Sequence, residues 1–124
     1  MSGNVRRIVA ELRAIGLKEH AVAGVLGNLQ QESGFDPTNT NGTHFGIAQW
    51  DNSRWARFKT LAREKGWGDI NSVGAQAKYL AWEIKTGKGG TSVQRLNSSN
   101  SIVQAVDRFE AEFERSGKSA MENR

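Results

Sequence analysis

Two short stretches in the first half of the chain bring together a carboxylate, amides and aromatic rings. The first stretch is GNLQQESGF (residues 27–35), which contains Glu32. The second stretch is HFGIAQWDNSRW (residues 44–55). A saccharide ring presents an apolar face and a rim of hydroxyl groups, so aromatic faces beside amides are suited to bind it. With a proton-donating carboxyl group, such a set could cleave a glycosidic bond.

Glu32 lies in the last turn of a predicted helix that ends before Gly34. The unpaired carbonyl groups of a helix C-terminus disfavour a nearby carboxylate by up to about 1 kcal/mol. Apolar neighbours such as Leu29 and Phe35 disfavour the charged form further. This environment suits a general acid, which must hold a proton near neutral pH. The alternative is a solvated glutamate at a frayed helix end.

The second stretch predicts a ligand-binding surface. Phe45 and Trp50 offer flat apolar faces, Gln49 offers an amide, and His44 could orient a ligand. Gly46 lacks a side chain, which would let a ligand approach the backbone closely. The alternative interpretation makes both aromatic residues part of the core and makes His44 a cap of a hairpin.

The elements that must position these groups are predicted to be helical. Apolar residues recur with helical spacing in five segments, which predicts five or six helices. The five segments are residues 5–15, 18–33, 52–64, 73–84 and 102–113. We expect Asn52 or Ser53, Asn71-Ser72 and Asn100-Ser101 to cap the last three. Gly24 and Gly27 inside the second helix indicate close packing against another element.

Between the second and third helices, residues 35–51 lose the helical period. Asp36-Pro37 and Asn41-Gly42 are turn signals, and the second pair is typical of a two-residue hairpin turn. We therefore predict a loop or a small β-hairpin here. The segment KTGKGGTS (85–92) is predicted to form a flexible surface loop.

Composition excludes several classes of protein. The 124 residues suit one domain, and cysteine is absent, which removes disulfides and cysteine-based metal sites. No apolar run is long enough to span a bilayer, and the first residues lack the apolar core of a signal peptide. The net charge of +4 favours a polyanionic partner such as nucleic acid, an anionic membrane or an acidic wall polymer, although it is also ordinary for a small domain. Because the basic residues are scattered over all the helices, a nucleic-acid-binding domain is disfavoured.

Three motifs resemble the phage tail lysozyme family of the lysozyme-like superfamily. They are GNLQQES (27–33), FGIAQW (45–50) and QAKYLAWEI (76–84), and the resemblance runs from about residue 15 to residue 114. Phe113-Glu114-Arg115 is similar to the aromatic-Glu-Arg ending of that family, although Ser116 replaces a proline that often follows. The resemblance implies a mainly α, α+β lysozyme-like fold, with residues 35–51 forming one wall of a glycan cleft. It also implies a single domain over residues 1–124, complete or excised from a larger phage protein.

The activity implied by the resemblance is cleavage of the β-1,4 bond between N-acetylmuramic acid and N-acetylglucosamine in peptidoglycan. Glu32 matches the catalytic glutamate of the family, and Gln49 matches the glutamine of the Gly-Ile-x-Gln run that lines the glycan cleft. Tyr79 is expected to touch the cleft while Trp82 packs inside. No metal or organic cofactor is expected, and the partners are peptidoglycan glycan strands, without nucleic acid or membrane insertion. The expected location is a virion tail or the host cytoplasm before release to the wall.

The second catalytic group is open at this point. In lysozymes of the chicken type an aspartate precedes the aromatic residue of a similar strand, and His44 occupies that position here. Asp51 is the first candidate to hold water, with an N-cap of the third helix as its alternative role. Asp36 is the second candidate, with an Asp-Pro turn as its alternative. If neither acts, a lytic transglycosylase that uses Glu32 alone becomes plausible, and a noncatalytic wall-binding module is a further alternative.

One ion pair is expected outside these motifs. Arg54 and Glu83 fall on the third and fourth predicted helices, where they could pair across the helix interface. We expect this pair to be exposed and to contribute less than about 1 kcal/mol to stability.

Overall fold

The structure is a computed structural model that describes residues 2–114. These residues form six α-helices, one two-stranded antiparallel sheet and a final π-helical turn. In chain order the elements are α1 (Gly3–Ala14), α2 (Glu19–Ser33), β1 (His44–Phe45), β2 (Trp50–Asp51), α3 (Asn52–Lys65), α4 (Val73–Thr86), α5 (Val93–Asn97), α6 (Ile102–Phe109) and the π-helical turn (Glu110–Glu114). The predicted mainly helical α+β class is confirmed.

The helices bury their apolar stripes in one continuous core. α2 contributes Val22, Val25 and Leu29 and packs against α1 and α6. α1 also packs on α4, and α3 packs on α4 and on the small sheet. No helix within residues 2–114 is long and apolar enough to cross a membrane.

The contact between α2 and α6 is unusually close at Gly24. A Cβ atom at this position would lie 2.5 Å from Cβ of Ala105 and 2.9 Å from its carbonyl carbon. One turn further along α2, Nδ2 of Asn28 donates to the carbonyl oxygen of Val106 at 2.9 Å. The close packing predicted from the glycines of this helix is therefore confirmed at Gly24.

The small β-hairpin predicted within residues 35–51 is confirmed, but its turn is not at Asn41-Gly42. β1 and β2 are joined by Gly46–Gln49, and their register pairs His44 with Asp51 and Phe45 with Trp50. The prediction of a two-residue turn at Asn41-Gly42 is wrong. Thr40 forms a β-bridge with Phe45, and the four residues 41–44 lie between them. Oδ1 of Asn41 accepts hydrogen bonds from the backbone N–H groups of Thr43 and His44, both at 2.9 Å, and this side-chain turn replaces the tight hairpin turn.

The predicted caps are correct for two of the three helices. Ser72 and Ser101 cap α4 and α6 by accepting backbone N–H groups three residues ahead. The N-cap of α3 is Asp51 and not Asn52 or Ser53, and its Oδ1 accepts from the N–H of Arg54 at 2.8 Å, which confirms the cap that was predicted as the alternative role of Asp51. The helix therefore begins one residue earlier than a cap at Asn52 would allow.

The C-terminal third departs most from the prediction. α5 is not among the five segments with apolar helical spacing, and the last helix changes to π-helical form after Phe109. The loop after α4 is packed rather than purely a surface feature, because Gly89 and Thr91 are buried and a Cβ at Gly89 would lie 2.7 Å from the Phe113 ring. Arg115 and Ser116, at the end of the family-like motif, lie outside the described residues.

Two residues predicted on the apolar face of the last helix are exposed. Ile102 has 51% of its surface accessible and Val103 has 70%, whereas Phe109 and Phe113 on the same helical segment are fully buried. The core therefore covers the C-terminal part of the apolar stripe on this segment, whereas the apolar residues of its first turn face solvent.

Gly24→Ala tests the close contact of α2 with α6. The added methyl group meets the backbone of Ala105, which cannot move as a flexible side chain would, so we expect a loss of about 1–3 kcal/mol in the free energy of unfolding. Urea denaturation measures this loss. Gly3→Ala is the control, since nothing lies within 4 Å of a Cβ there, and it should leave stability unchanged or slightly raised. Equal stability of the two variants would contradict the packing argument.

Candidate active site

Glu32 lies in the last turn of α2 and is half-buried. Its neighbour Ser33 is buried and joins this helix end to the hairpin, since Oγ of Ser33 lies 2.7 Å from the carbonyl oxygen of Ile47. The same hydroxyl accepts from the N–H of Phe35 at 3.1 Å. These contacts fix the position of the α2 terminus relative to the Gly46–Gln49 turn.

Asn39 extends this junction to Gln49. Nδ2 of Asn39 donates to the carbonyl oxygen of Ser33 at 3.3 Å, and the carbonyl oxygen of Asn39 accepts from Nε2 of Gln49 at 3.0 Å. Nε2 of Gln49 also donates to the carbonyl oxygen of Gly46 at 2.8 Å. The amide of Gln49 is therefore held by its own turn and by the segment that follows Glu32.

Gln76 of α4 holds the other side of the turn. Its amide is fully buried: Oε1 accepts from the N–H of Ile47 at 2.9 Å, and Nε2 donates to the carbonyl oxygens of Pro37 and Ile70 at 2.9 and 2.8 Å. A Cβ at Gly46 would lie 2.6 Å from Oε1 of Gln76. The contact with Gln76 and the left-handed φ of +77° both account for glycine at this position.

The aromatic residues divide into buried and accessible ones. Trp50 and Tyr79 are 1% and 0% exposed, and their ring centroids lie 5.1 Å apart inside the core. Direct contact of these two residues with a ligand, as predicted from the sequence, is wrong, because packing covers both rings. Phe45 is half-buried and stacks on Trp55 at 5.3 Å, so part of its ring stays accessible.

The structure differs from the prediction at Tyr79, which is fully buried, whereas Trp82 packs against the core as predicted and keeps part of its ring accessible. The guanidinium carbon of Arg57 lies 5.2 Å and Nζ of Lys88 lies 5.6 Å from the ring centroid of Trp82. Tyr79 stacks beneath it at 5.9 Å. Helical periodicity cannot tell which of these two residues is the more buried, because they lie only three residues apart on one face of α4.

Glu83 is the electrostatic centre beneath the hairpin. Its carboxylate is fully buried: Oε1 accepts from Nε1 of Trp50 at 2.7 Å, and Oε2 accepts from Nε of Arg54 at 3.0 Å and Nη2 of Arg57 at 2.6 Å. The predicted pairing of Arg54 with Glu83 is confirmed, but the predicted exposure is wrong. Since a buried ion is expensive to leave uncompensated, removal of one partner from this network costs far more than removal of one partner from a surface pair.

Tyr79 completes the network. Its hydroxyl donates to the carbonyl oxygen of Arg54 at 2.7 Å and accepts from Nε of Arg57 at 3.0 Å. Burial and the nearby negative charge of Glu83 raise the pKa of Tyr79 well above its usual value. The phenol therefore stays protonated and continues to donate to the first turn of α3.

The remaining candidate residues lie on the hairpin or just before it. His44 and Asp51 face each other across the strand pair, and Oγ1 of Thr43 lies 3.0 Å from Nδ1 of His44. Asp36 is exposed and accepts from the N–H and Oγ1 of Thr38 at 2.9 and 2.7 Å, which lowers the pKa of its carboxyl group. Asp36 thus forms the turn that was its alternative role. Within residues 2–114 there is no cluster of three or more metal-ligating side chains.

Sequence reasoning did not identify Ser33, Asn39 or Gln76 as parts of this site. Gln76 had a detectable signal, because a polar amide stood in a segment of otherwise apolar residues on the core-facing side of the fourth predicted helix. Asn39 had none, since asparagine is common in any loop. Ser33 lay beside Glu32 in a motif, but only the fold brings Ile47 to its hydroxyl group.

A family model described as phage tail lysozyme matches residues 3–124 of the chain. A search among curated proteins found no match.

Glu83→Gln tests the buried network. The substitution removes the charge that faces two arginines while it preserves the shape of the side chain, so we expect a loss of about 3–5 kcal/mol in the free energy of unfolding. Thermal or urea denaturation measures the change. The control is Glu19→Gln, which breaks an exposed pair with Arg13 and should change stability by less than about 1 kcal/mol. If both variants lose the same small amount, Glu83 does not have the role assigned to it.

Proposed function

The chain belongs to the phage tail lysozyme family, a family of lysozyme-type enzymes that act on peptidoglycan, and from that premise we propose that it is a muramidase with Glu32 as its general acid. The bond cleaved is the β-1,4 linkage between N-acetylmuramic acid and N-acetylglucosamine. The observation that carries the proposal is the junction at the end of α2, where Ser33 ties the turn bearing Glu32 to the Gly46–Gln49 turn.

The position of Glu32 supports its role as the acid. It lies at the negative end of the α2 dipole, where no basic residue occupies the last turn of the helix. It is half-buried, so part of its surface is open to a substrate. The Glu32 carboxyl group would protonate the glycosidic oxygen as the bond to the anomeric carbon breaks, and the sugar would develop oxocarbenium character.

The hairpin supplies the groups proposed to hold the glycan. The partly accessible face of Phe45 suits the apolar side of a sugar ring, and Gln49 and His44 offer polar groups on the same hairpin. Both hydrogen bonds of the Gln49 amide nitrogen are to backbone oxygens. Its Oε1 is thereby aimed by the turn rather than by a mobile side chain, which favours a preorganised contact with a sugar hydroxyl or amide.

Asp51 is proposed to orient the attacking water. One of its oxygens, Oδ1, caps α3, and the second oxygen is the one proposed to hold water. In the hydrolytic reaction this water adds its hydroxyl oxygen to the anomeric carbon, and its proton restores the Glu32 carboxyl group after the leaving sugar has taken the first proton.

The cap of α3 also favours a second candidate, a lytic transglycosylase. If Asp51 serves only as a cap, a hydroxyl group of the muramic acid residue itself can attack the anomeric carbon. Glu32 would then first donate a proton to the leaving oxygen and afterwards accept the proton of that hydroxyl group. The product is an anhydromuramyl end, and no water is consumed. We propose that in either case the protein acts on the bacterial wall as part of a virion tail or as a phage lytic enzyme.

Glu32→Gln tests the general acid. The amide keeps the shape of the side chain but has no proton to give, so release of soluble muropeptides from purified peptidoglycan should fall by about 10²–10⁴-fold while the unfolding transition stays in place. Mass spectrometry of the products identifies reducing or anhydromuramyl ends. Glu64→Gln makes the same change near the end of α3 and should retain full activity. Undiminished release by Glu32→Gln would contradict the assignment.

Asp51→Asn separates the two roles of Asp51. Asparagine caps a helix as well as aspartate does, so stability should be unchanged, whereas loss of the water-orienting carboxylate should lower the hydrolytic rate at least tenfold. Asp51→Ala should in addition lose about 1 kcal/mol of stability with the cap. Full activity of Asp51→Asn would make Asp51 a cap alone.

A further inference from the structure

Asn41 fixes the donor and acceptor roles in a short chain of hydrogen bonds that ends at the ring of His44. Its Oδ1 accepts from the backbone N–H groups of Thr43 and His44, both at 2.9 Å. Because a backbone N–H group can only donate, the atom that faces both groups must be the amide oxygen and not the amide nitrogen. The same Oδ1 lies 2.9 Å from Oγ1 of Thr43, so the hydroxyl group of Thr43 donates its proton to Asn41.

The imidazole ring of His44 therefore donates through Nδ1. Oγ1 of Thr43 lies 3.0 Å from Nδ1 of His44. A hydroxyl group has one proton, and Thr43 already gives its proton to Asn41, so Oγ1 can only accept from the ring. In the neutral ring the other nitrogen, Nε2, then has no proton and carries a lone pair that accepts hydrogen bonds.

His44 and Asp51 lie on the face of the hairpin that points away from the core. The strand register places them directly opposite each other. Side chains opposite each other in an antiparallel pair project from the same face, with Cβ atoms about 4.5–5.5 Å apart. The next pair, Phe45 and Trp50, projects from the other face, where the core covers Trp50. His44 and Asp51 are both half-buried, so part of each remains accessible.

Two hydrogen-bond acceptors thus face each other across the strand pair. Oδ1 of Asp51 accepts from the N–H of Arg54 at 2.8 Å, so Oδ2 is the oxygen left for a ligand. Neither the ionised carboxylate nor Nε2 of neutral His44 has a proton to share, so they cannot bond to each other. A water molecule can donate one hydrogen bond to each of them, and its lone pairs then point away from both acceptors.

The strand that carries His44 is bonded to the helix end that carries Glu32. The N–H of Gly46, two residues after His44, donates to the carbonyl oxygen of Asn39 at 2.8 Å. Nδ2 of Asn39 donates in turn to the carbonyl oxygen of Ser33, the residue next to Glu32, at 3.3 Å. The two acceptors therefore belong to the same bonded unit as the proposed general acid.

We infer that His44 and Asp51 together hold the attacking water, and that Nε2 of His44 accepts a proton from it. This inference rests on the proposed function. The water oxygen bonds to the anomeric carbon while the glycosidic bond breaks, and the leaving sugar takes the proton of Glu32. One water proton passes to Nε2, and the imidazolium then returns it through solvent to the Glu32 carboxylate. Both groups regain their starting state.

Product analysis of His44 variants tests the inference, because water and the hydroxyl group of muramic acid compete for the same anomeric carbon. His44→Phe keeps a flat ring without an acceptor. We expect the yield of reducing ends to fall at least about tenfold and the share of anhydromuramyl ends to rise, with the unfolding transition unchanged. His44→Gln places an amide oxygen near the position of Nε2 and should restore part of the yield.

The matched control is the other histidine of the chain, His20, which lies in the first turn of α2. His20→Gln should keep the rate and the product ratio of the wild type.

NMR of the imidazole rings in isotope-labelled protein reads the tautomer without turnover. In alkaline buffer, where imidazole is neutral, long-range proton–nitrogen correlations should show a protonated Nδ1 and an unprotonated Nε2 for His44. The signals of this ring are identified by their loss in His44→Gln. Thr43→Val removes the acceptor Oγ1 with little change of shape. The Nε2–H tautomer should then gain population, and the yield of reducing ends should fall with it.

Four results would overturn the inference. They are an unchanged product ratio in His44→Phe, an equal loss of both products, which would make His44 a glycan contact, release of anhydromuramyl ends alone by the wild type, and a proton on Nε2 of neutral His44. The proposed function fails on a separate reading, if Glu32→Gln releases as much of both products as the wild type. In that case the NMR experiment still decides the state of the His44 ring.

Discussion

The buried carboxylate of Glu83 is the constraint on which the candidate site depends. A carboxylate without water must have its charge and its hydrogen-bonding capacity satisfied by fixed donors. Three donors meet it: the indole of Trp50 and the guanidinium groups of Arg54 and Arg57. These donors come from β2 and from the first two turns of α3. By binding all three, Glu83 of α4 fixes the direction in which the chain passes from the hairpin into α3.

The hairpin needs this support because it has little stability of its own. Its strands are two residues long, and an isolated pair of even longer strands is marginal in water. Gln76 and Ser33 hold the other side of the Gly46–Gln49 turn through Ile47. The turn is thus hydrogen-bonded to α2 and to α4. These bonds hold the turn, and with it the side chain of Gln49, in one position. Rigidity of this kind would suit the glycan binding that we propose for this site.

The predictable features were those in which local chemistry is decisive. Helical spacing of apolar residues located α2 and α4, and Ser72 and Ser101 were identified as caps because a hydroxyl group before a helix has one obvious hydrogen-bonding role. The motif around Glu32 and Gln49 led to the family without reference to a fold. The errors arose where neighbouring residues in the sequence allowed two structures equally well. An Asn-Gly pair forms several kinds of turn, and Asp51, Asn52 and Ser53 are all good caps, so only the observed contacts select among them.

The sequence by itself determined the helical class and the family, because each depends on residues close together in the chain. Tertiary structure alone decided which aromatic residues are accessible, since Trp50, Tyr79 and Trp82 are equally apolar and differ only in what covers them. Tertiary structure also showed that the carboxylate of Glu83 is buried, where the sequence predicted an exposed ion pair. Burial is a property of the whole packed core, to which distant segments contribute, and for that reason no local pattern could have assigned it.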